Sequence, residues 1–321
     1  MTNQILLINI EEGKLIPITE SLDLVGDGAN IKQVTDKEEA KNSMNTMADL
    51  SIIISNAASF ELFELARGKH PKAQTILVTD LPMLQYSPAL KSEEHSLVDH
   101  VIANRVRKDW TVNELKITIE KLITSDIFGI EKYLEIDTPI ERRSIKGSSA
   151  RETYNAEVMA FAEKCRLGHH TAKTAFGITE ELLMNVIHDA PLAGGVREYI
   201  GKPRTAPIDL KPEYWGELTW GCDGHILAIG AADPFGALRK EKLARYIRKL
   251  LKRDDSSALI DTKKEGAGLG FFKMLYSSHG LVCNVCEGKK TEIITLIEVK
   301  EQLRDFSTMA RSIHFFSSIT S

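Results

Sequence analysis

Residues 171–190 read TAKTAFGITEELLMNVIHDA, and their spacing predicts one long helix with two chemically opposed faces. At about 100° per residue, Ala172, Ala175, Phe176, Thr179, Leu182, Leu183, Val186 and Ile187 fall on one apolar or small arc. Glu181, Asn185, His188 and Asp189 fall on the other. An apolar arc this wide packs against a sheet, while the polar arc is compact and poor in Lys and Arg, unlike an ordinary solvated face. Glu181 and Asn185 stand i, i+4, one above the other. The amide oxygen is therefore placed to ligate a hard cation, and the carboxylate to orient or deprotonate a nucleophile. Alone, Glu-x-x-x-Asn reads first as a polar helix face, because the pattern recurs by chance; its meaning depends on the chain downstream of Ala190.

Two later stretches change that reading. Residues 226–236, ILAIGAADPFG, form an apolar strand run ending at Asp233 and Gly236, and residues 263–275, KKEGAGLGFFKML, carry Gly266, Gly268 and Gly270 at the start of a helix. The order of Glu-x-x-x-Asn helix, strand ending in Asp, then Gly-x-Gly-Leu-Gly resembles the ATP-binding domain shared by gyrase, heat-shock chaperones, histidine kinases and mismatch-repair ATPases. The resemblance covers roughly residues 130 to 300 and implies a two-layer α/β sandwich of the Bergerat type, with ATP and Mg²⁺ as cofactors.

The resemblance also implies roles. Asn185 would place its amide oxygen on Mg²⁺, and Glu181 would act as the catalytic base that orients a water or a substrate hydroxyl. His188 would reach a phosphate oxygen, and Asp189 would contact phosphate-bound metal or form a salt bridge. Asp233 would accept a hydrogen bond from the adenine amino group, because a buried carboxylate needs a donor. Gly266, Gly268, Leu269 and Gly270 would bring backbone N–H groups and a helix N-terminus to the phosphates. The family pattern after the strand is Asp-x-Gly-x-Gly. Here it is Asp233-Pro-Phe-Gly-Ala, so Gly236 lies between Phe235 and Ala237 at the two glycine positions, and Phe235 would stack on adenine or crowd it.

The lid position of the same family holds residues 237–265. The first half reads as a basic amphipathic helix with Arg239, Lys240, Lys242, Arg245, Arg248, Lys249, Lys252 and Arg253. Such a run is a solvated face, a phosphate contact or a dock for an acidic partner. No His lies between His100 and His169, so the phosphoacceptor hairpin of a histidine kinase is missing; His169 and His170 read as surface or capping residues. The helix order instead resembles the anti-sigma-factor serine kinases.

The first 125 residues alternate apolar runs with helical segments: ILLINI, DKEEAKNSMNTM, LSIIIS, FELFELARG, QTILVTD, VDHVIAN and TVNELKITIEKLIT. Alternation of this kind predicts a doubly wound, flavodoxin-like parallel sheet with helices on both faces. The order is similar to a response-regulator receiver domain, with departures where the chemistry would sit. Asn9, with Glu11 and Glu12, stands in for the acidic residues after the first strand, and Ser55 and Asn56 replace the phosphoacceptor Asp. Thr79 matches the hydroxyl position, and the Lys after the fifth strand is replaced near Asn104. The similarity implies a degenerate receiver used for interaction or dimerisation; an unrelated doubly wound domain is the alternative.

Length and composition set the frame. At 321 residues the chain exceeds one typical core. The expected division is a receiver-like domain over 1–125, an ATP-binding domain over 126–300, and a tail over 301–321 whose apolar Ile313–Phe316 packs on a domain or a second subunit, leaving a homodimer open. Hydrophobic content of 43%, charged content of 27% and a formal net charge of −4 suit a globular protein with no nucleic-acid or membrane partner. The apolar run near the N-terminus is too short for a signal peptide, so a cytoplasmic location is expected. Cys222, His225, Cys283 and Cys286 invite a zinc site, but Cys283 and Cys286 fall in a strand, where residues three apart face opposite ways. The function expected from all this is a signalling protein that binds Mg-ATP, as an ATPase or a kinase on Ser or Thr of a protein partner, or as a non-catalytic nucleotide-dependent switch.

Overall fold

The computed structural model describes residues 3–10, 29–86, 98–105, 108–199, 202–251, 266–300 and 308–318. The fold is mixed α/β, and the chain divides into two compact units, Met1–Ile127 with Arg304–His314, and Phe128–Leu303 with Phe315–Ser321.

In the first unit, β1 (Asn3–Ile8), β2 (Ala29–Val34), β3 (Leu50–Ser55), β4 (Gln74–Thr79) and β5 (His100–Ala103) pair in the order β2-β1-β3-β4-β5, all parallel. The helices are α1 (Lys37–Thr46), α2 (Phe60–Lys69), α3 (Met83–Tyr86) and α4 (Lys108–Thr124). Side-chain alternation gives the sheet two cores. Ile5, Leu7, Ile52, Ile54, Ile76 and Val78 face Leu115 and Ile119 of α4. Leu6, Ile8, Val34 and Ile53 face Ala40 and Met44 of α1 and Leu62 and Ala66 of α2. Burial on both sides is why these strands read as continuous apolar runs. Strand β2 carries no such run, because it is an edge strand that fully buries only Val34. Asp36 caps α1 by accepting from the N–H groups of Glu38 and Glu39 at 2.6 and 2.9 Å.

Two amides, Asn9 and Asn56, stand at the carboxyl ends of β1 and β3. Asn56 donates to Asn9 Oδ1 at 2.7 Å and accepts from the Ile10 N–H at 2.9 Å, and both residues are buried. Ser55 is engaged with the backbone of Ala57, and Thr79 Oγ1 accepts from the Leu81 N–H. Glu11 and Glu12 lie outside the described residues.

The tail returns as a strand, β11 (Ser312–Ser318), whose Ile313 and His314 pair antiparallel with Val101 and His100 of β5. A buried polar cluster anchors this part. Arg105 meets Glu114 at 2.7 Å, Ser312 Oγ donates to Glu114 at 2.9 Å, and His314 Nε2 lies 3.0 Å from it. Burial alone would push the Glu114 carboxyl up; the Arg105 charge, with the contacts from His314 and Ser312, more than offsets this and holds it at about 2.

In the second unit, β6 (Glu141–Ile145), β7 (Gly216–Cys222), β8 (Ile226–Asp233), β9 (Gly280–Cys286) and β10 (Lys290–Glu298) are antiparallel, in the order β9-β10-β8-β7-β6. Helix α5 (Arg151–Lys164) packs beside α6 (His169–Met184), which lies on β8. After the short α7 (Ala190–Ala193) come α8 (Lys240–Leu251) and α9 (Gly266–Tyr276), with α9 against α6. The turn Glu287–Lys289 joins β9 to β10. A 3₁₀ turn at Ile130–Tyr133 opens this unit ahead of β6.

The helix expected over 171–190 is broken. Residues Asn185–Asp189 form a π turn closed by the Ala190 N–H on the Asn185 carbonyl. Pro191 supplies the reason: it has no N–H for Ile187, and in a straight α-helix its ring would strike that carbonyl. The widened turn relieves the clash and adds a residue to the register. Of the polar residues that follow Asn185, His188 is carried off the face assigned at 100° per residue, while Asp189 stays with Asn185. His188 becomes 3% exposed, while Phe176, placed on the buried arc, is 38% exposed.

Candidate functional site

The π turn, the end of β8 and the start of α8 enclose a cleft of about 450 Å³, open to solvent. Asn185 and Asp189 come from the turn, Asp233 from the last position of β8, Thr291 from its cross-strand neighbour on β10, Lys242 from α8, and Phe271 from α9. The buried run of β8 carries Asp233 inward, so its carboxyl is 8% exposed. Burial pushes this carboxyl up to about 6, against the backbone N–H groups of Phe235, at 2.9 Å, and Gly236, and the Thr291 hydroxyl. Among the described residues, Asn185 Nδ2 is buried without a hydrogen-bond partner. A desolvated acceptor and an unused amide thus line one cleft, a donor set suited to a ligand with both N–H and charged oxygen groups.

Glu181 sits one turn before Asn185 and is 9% exposed. Lys273 Nζ lies 2.6 Å from its Oε1, and a Cβ added at Gly270 would stand 2.8 Å from its Oε2. The third glycine of the glycine element thus lies directly against this carboxylate, which would have to shift to admit a side chain there. Gly266, Gly268 and Leu269 form the opening of α9. His188 does not line the cleft. Its Nε2 has no partner among the described residues, and burial, then the charges of Arg151 and Arg204, lower its pKa. Asp189 pairs with Arg204; burial raises its carboxyl, and Arg204 works against the rise. Glu180 is held by Arg151 and by Asn155 Nδ2 at 2.7 Å.

Phe235 turns away from the cleft. Its ring packs on Gly194 and lies 5.4 Å from that of Tyr214, tilted by 31°. Gly236 has φ of +58° and a Cβ added there would collide with the Cys286 carbonyl, so glycine is required there by the turn itself. In the basic run, Arg239 pairs with Glu287 and Lys242 reaches the cleft, while residues 252–265 lie outside the described residues. Cys283 is buried in β9, and burial pushes its thiol up to about 12.

Sequence reasoning missed Thr291, Arg204 and Lys273. Thr291 is set by the pairing of strands far apart in sequence, and Arg204 lies in an aperiodic Pro-containing loop. Lys273 alone had a signal: it follows Gly270 by three positions on one helix and so stacks above it.

No protein-family model matches the chain, and no curated protein is similar to it at a significant level. Among solved structures, it is similar to a chain of the SiaB–SiaC complex from Pseudomonas aeruginosa, with 19% identity over 56% of this chain and 98% of that one and a TM-score of 0.36. It is also similar to the RcsB response regulator of Salmonella typhimurium, solved in a study of conformational dynamism for DNA interaction, with 13% identity over 54% and 88% and a TM-score of 0.30. Likenesses this distant assign neither a family nor an activity.

Proposed function

We propose that the second unit is an ATP-binding domain of the Bergerat type, taking Mg-ATP in the Asn185–Asp233 cleft, and that the chain regulates a protein partner as a Ser/Thr kinase or an ATPase. The observation that carries this reading is the convergence of the Asp233 carboxyl and the Asn185 amide on one cleft, with α9 beside it. Asp233 would accept the adenine amino hydrogen, and a ligand donor would offset the cost of its burial. Asn185 would turn its amide oxygen to Mg²⁺, Lys242 would face phosphate, and the glycine-rich start of α9 would meet phosphate oxygens. Bound Mg-ATP would supply the transferable phosphoryl group, with the metal neutralising its charge. Glu181 would take the proton from the attacking hydroxyl, held in place by Lys273 and by the close approach of Gly270.

In the same reading, the first unit is a degenerate, flavodoxin-like receiver serving for interaction or dimerisation. Its Asn9–Asn56 pair leaves no carboxylate to form a phosphoryl anhydride there. Among the described residues no helix is long and apolar enough to cross a membrane.

Calorimetry on the full chain tests the binding. ATP is expected to bind more tightly with Mg²⁺ than without, and Asn185→Ala is expected to remove the difference. Equal affinity in all four titrations refutes the reading. One observation favours the non-catalytic switch: Glu181 already spends its charge on Lys273. Phosphate release under saturating ATP separates the two. A catalyst loses roughly 10²–10⁴ in turnover on Glu181→Gln with affinity kept. A switch shows no turnover to lose.

A further inference from the structure

One turn back along α6 from the cleft runs an open groove of about 770 Å³, from His170 and Lys173 past Phe176 and Gly177 to the Glu181–Lys273 pair. Three of its features have no cause among the described residues. Phe176 is 38% exposed on a helix that has buried positions available. Lys173 is exposed and makes no ion pair among the described residues, whereas the two acids of the groove are spent, Glu180 on Arg151 and Glu181 on Lys273. Gly177 stands mid-way along a 16-residue helix, where glycine is less stable than alanine, yet a Cβ there would meet nothing within 4 Å. No neighbour among the described residues asks for the missing side chain; a second chain crossing the helix would.

We propose that the groove takes an extended acidic segment of the partner protein, with its backbone over Gly177, an acidic side chain on Lys173 and a Ser or Thr hydroxyl at Glu181. The proposal rests on the kinase reading of the cleft. In the transfer, the hydroxyl proton passes to Glu181 while its oxygen bonds the γ-phosphorus of ATP. The bond from that phosphorus to the bridging oxygen breaks, and ADP leaves with its electron pair. The geometry sets a spacing. Lys173 and Glu181 are eight residues apart, about 12 Å along the helix. An extended chain covers that in about three or four residues, so the acidic side chain lies that far from the hydroxyl.

The test uses the full chain and a fluorescein-labelled peptide of about twelve residues, with one serine and glutamates about three and four positions to either side. Its partner probe has lysine in place of glutamate. By anisotropy without nucleotide, the glutamate peptide is expected to bind about tenfold tighter than the lysine peptide, with Lys173→Glu reversing the order. Gly177→Leu is expected to weaken binding about tenfold, and Gly177→Ala to weaken binding while raising Tm, a pairing that a purely structural glycine would not give. Equal binding of both peptides, or indifference to Gly177→Leu, overturns the proposal. Charge-selective binding without transfer of labelled phosphate from ATP to the serine instead overturns the kinase reading and leaves the groove standing. Transfer without charge preference does the reverse.

Discussion

Asp233 shows how one residue ties stability to binding. Its carboxyl sits at about 6 instead of the ordinary 3.8 because burial disfavours the charged form more than three hydrogen-bond donors restore it. The folded state therefore holds a proton that the unfolded state has already released between those two values. The stability linked to that proton is fully present below pH 3.8 and is lost as pH rises through about 6. For a group this buried, the loss amounts to roughly 2–3 kcal/mol. Asp233→Asn should remove that dependence, making the protein more stable than wild type at pH 7 and flattening the curve between pH 4 and 6. Denaturant unfolding across that range checks it, and parallel curves for the two proteins would refute the assignment. The same substitution should weaken ATP binding, since an amide presents a donor as well as an acceptor. An apolar strand ending in Asp was legible; the raised pKa was not, because it is set by how deeply folding buries the carboxyl, against the donors of Thr291 and the following turn.

At the scale of elements, the π turn decides what the site contains. The stacking of Glu181 and Asn185 was legible because the α-helical period holds up to Met184, directly before the turn that Asn185 opens. Asp189 keeps the face it shares with Asn185, but His188 is buried off it, although Pro191 was in view and its steric conflict with the Ile187 carbonyl is a local property. Pro191→Ala removes that conflict and allows the turn to tighten to α-helix. The expected result is stability equal to or above wild type, with ATP binding weakened about tenfold, roughly 1.4 kcal/mol, because Asp189 leaves the cleft wall and Arg204. Hydrogen exchange of the amides from Asn185 to Ala193 would report the tightened turn directly. Unchanged exchange and affinity would show that tertiary contacts, and not the proline, hold the turn open.

At the scale of the whole molecule, the tail contributes to a unit that begins three hundred residues earlier in sequence. Ser312 and His314 complete the buried surroundings of Glu114 in the first unit. Ending the chain after residue 307 should destabilise that unit by roughly 3–5 kcal/mol, because a buried carboxylate would keep Arg105 and lose its other partners. Its acid sensitivity should change too. Glu114 has a depressed folded-state value, so its contribution is present above pH 4.5 and is lost as pH falls towards about 2. Melting of full-length and shortened chains at pH 7 and pH 3 tests both statements, and equal stability of the two would refute them. The amino-acid sequence alone determined the alternation of strands and helices, the order of the strand ending in Asp233 and the glycine element, and the absence of a carboxylate at positions 9, 55 and 56, because each is set by local periodicity or by residue identity. Only the tertiary structure decided that Glu181 is held by Lys273 and Gly270, that Phe235 faces Tyr214 instead of the cleft, that Asp189 spends its charge on Arg204, and that the tail becomes a strand. These depend on which segments distant in sequence come into contact, and a charge or an aromatic ring has no fixed partner until the fold supplies one.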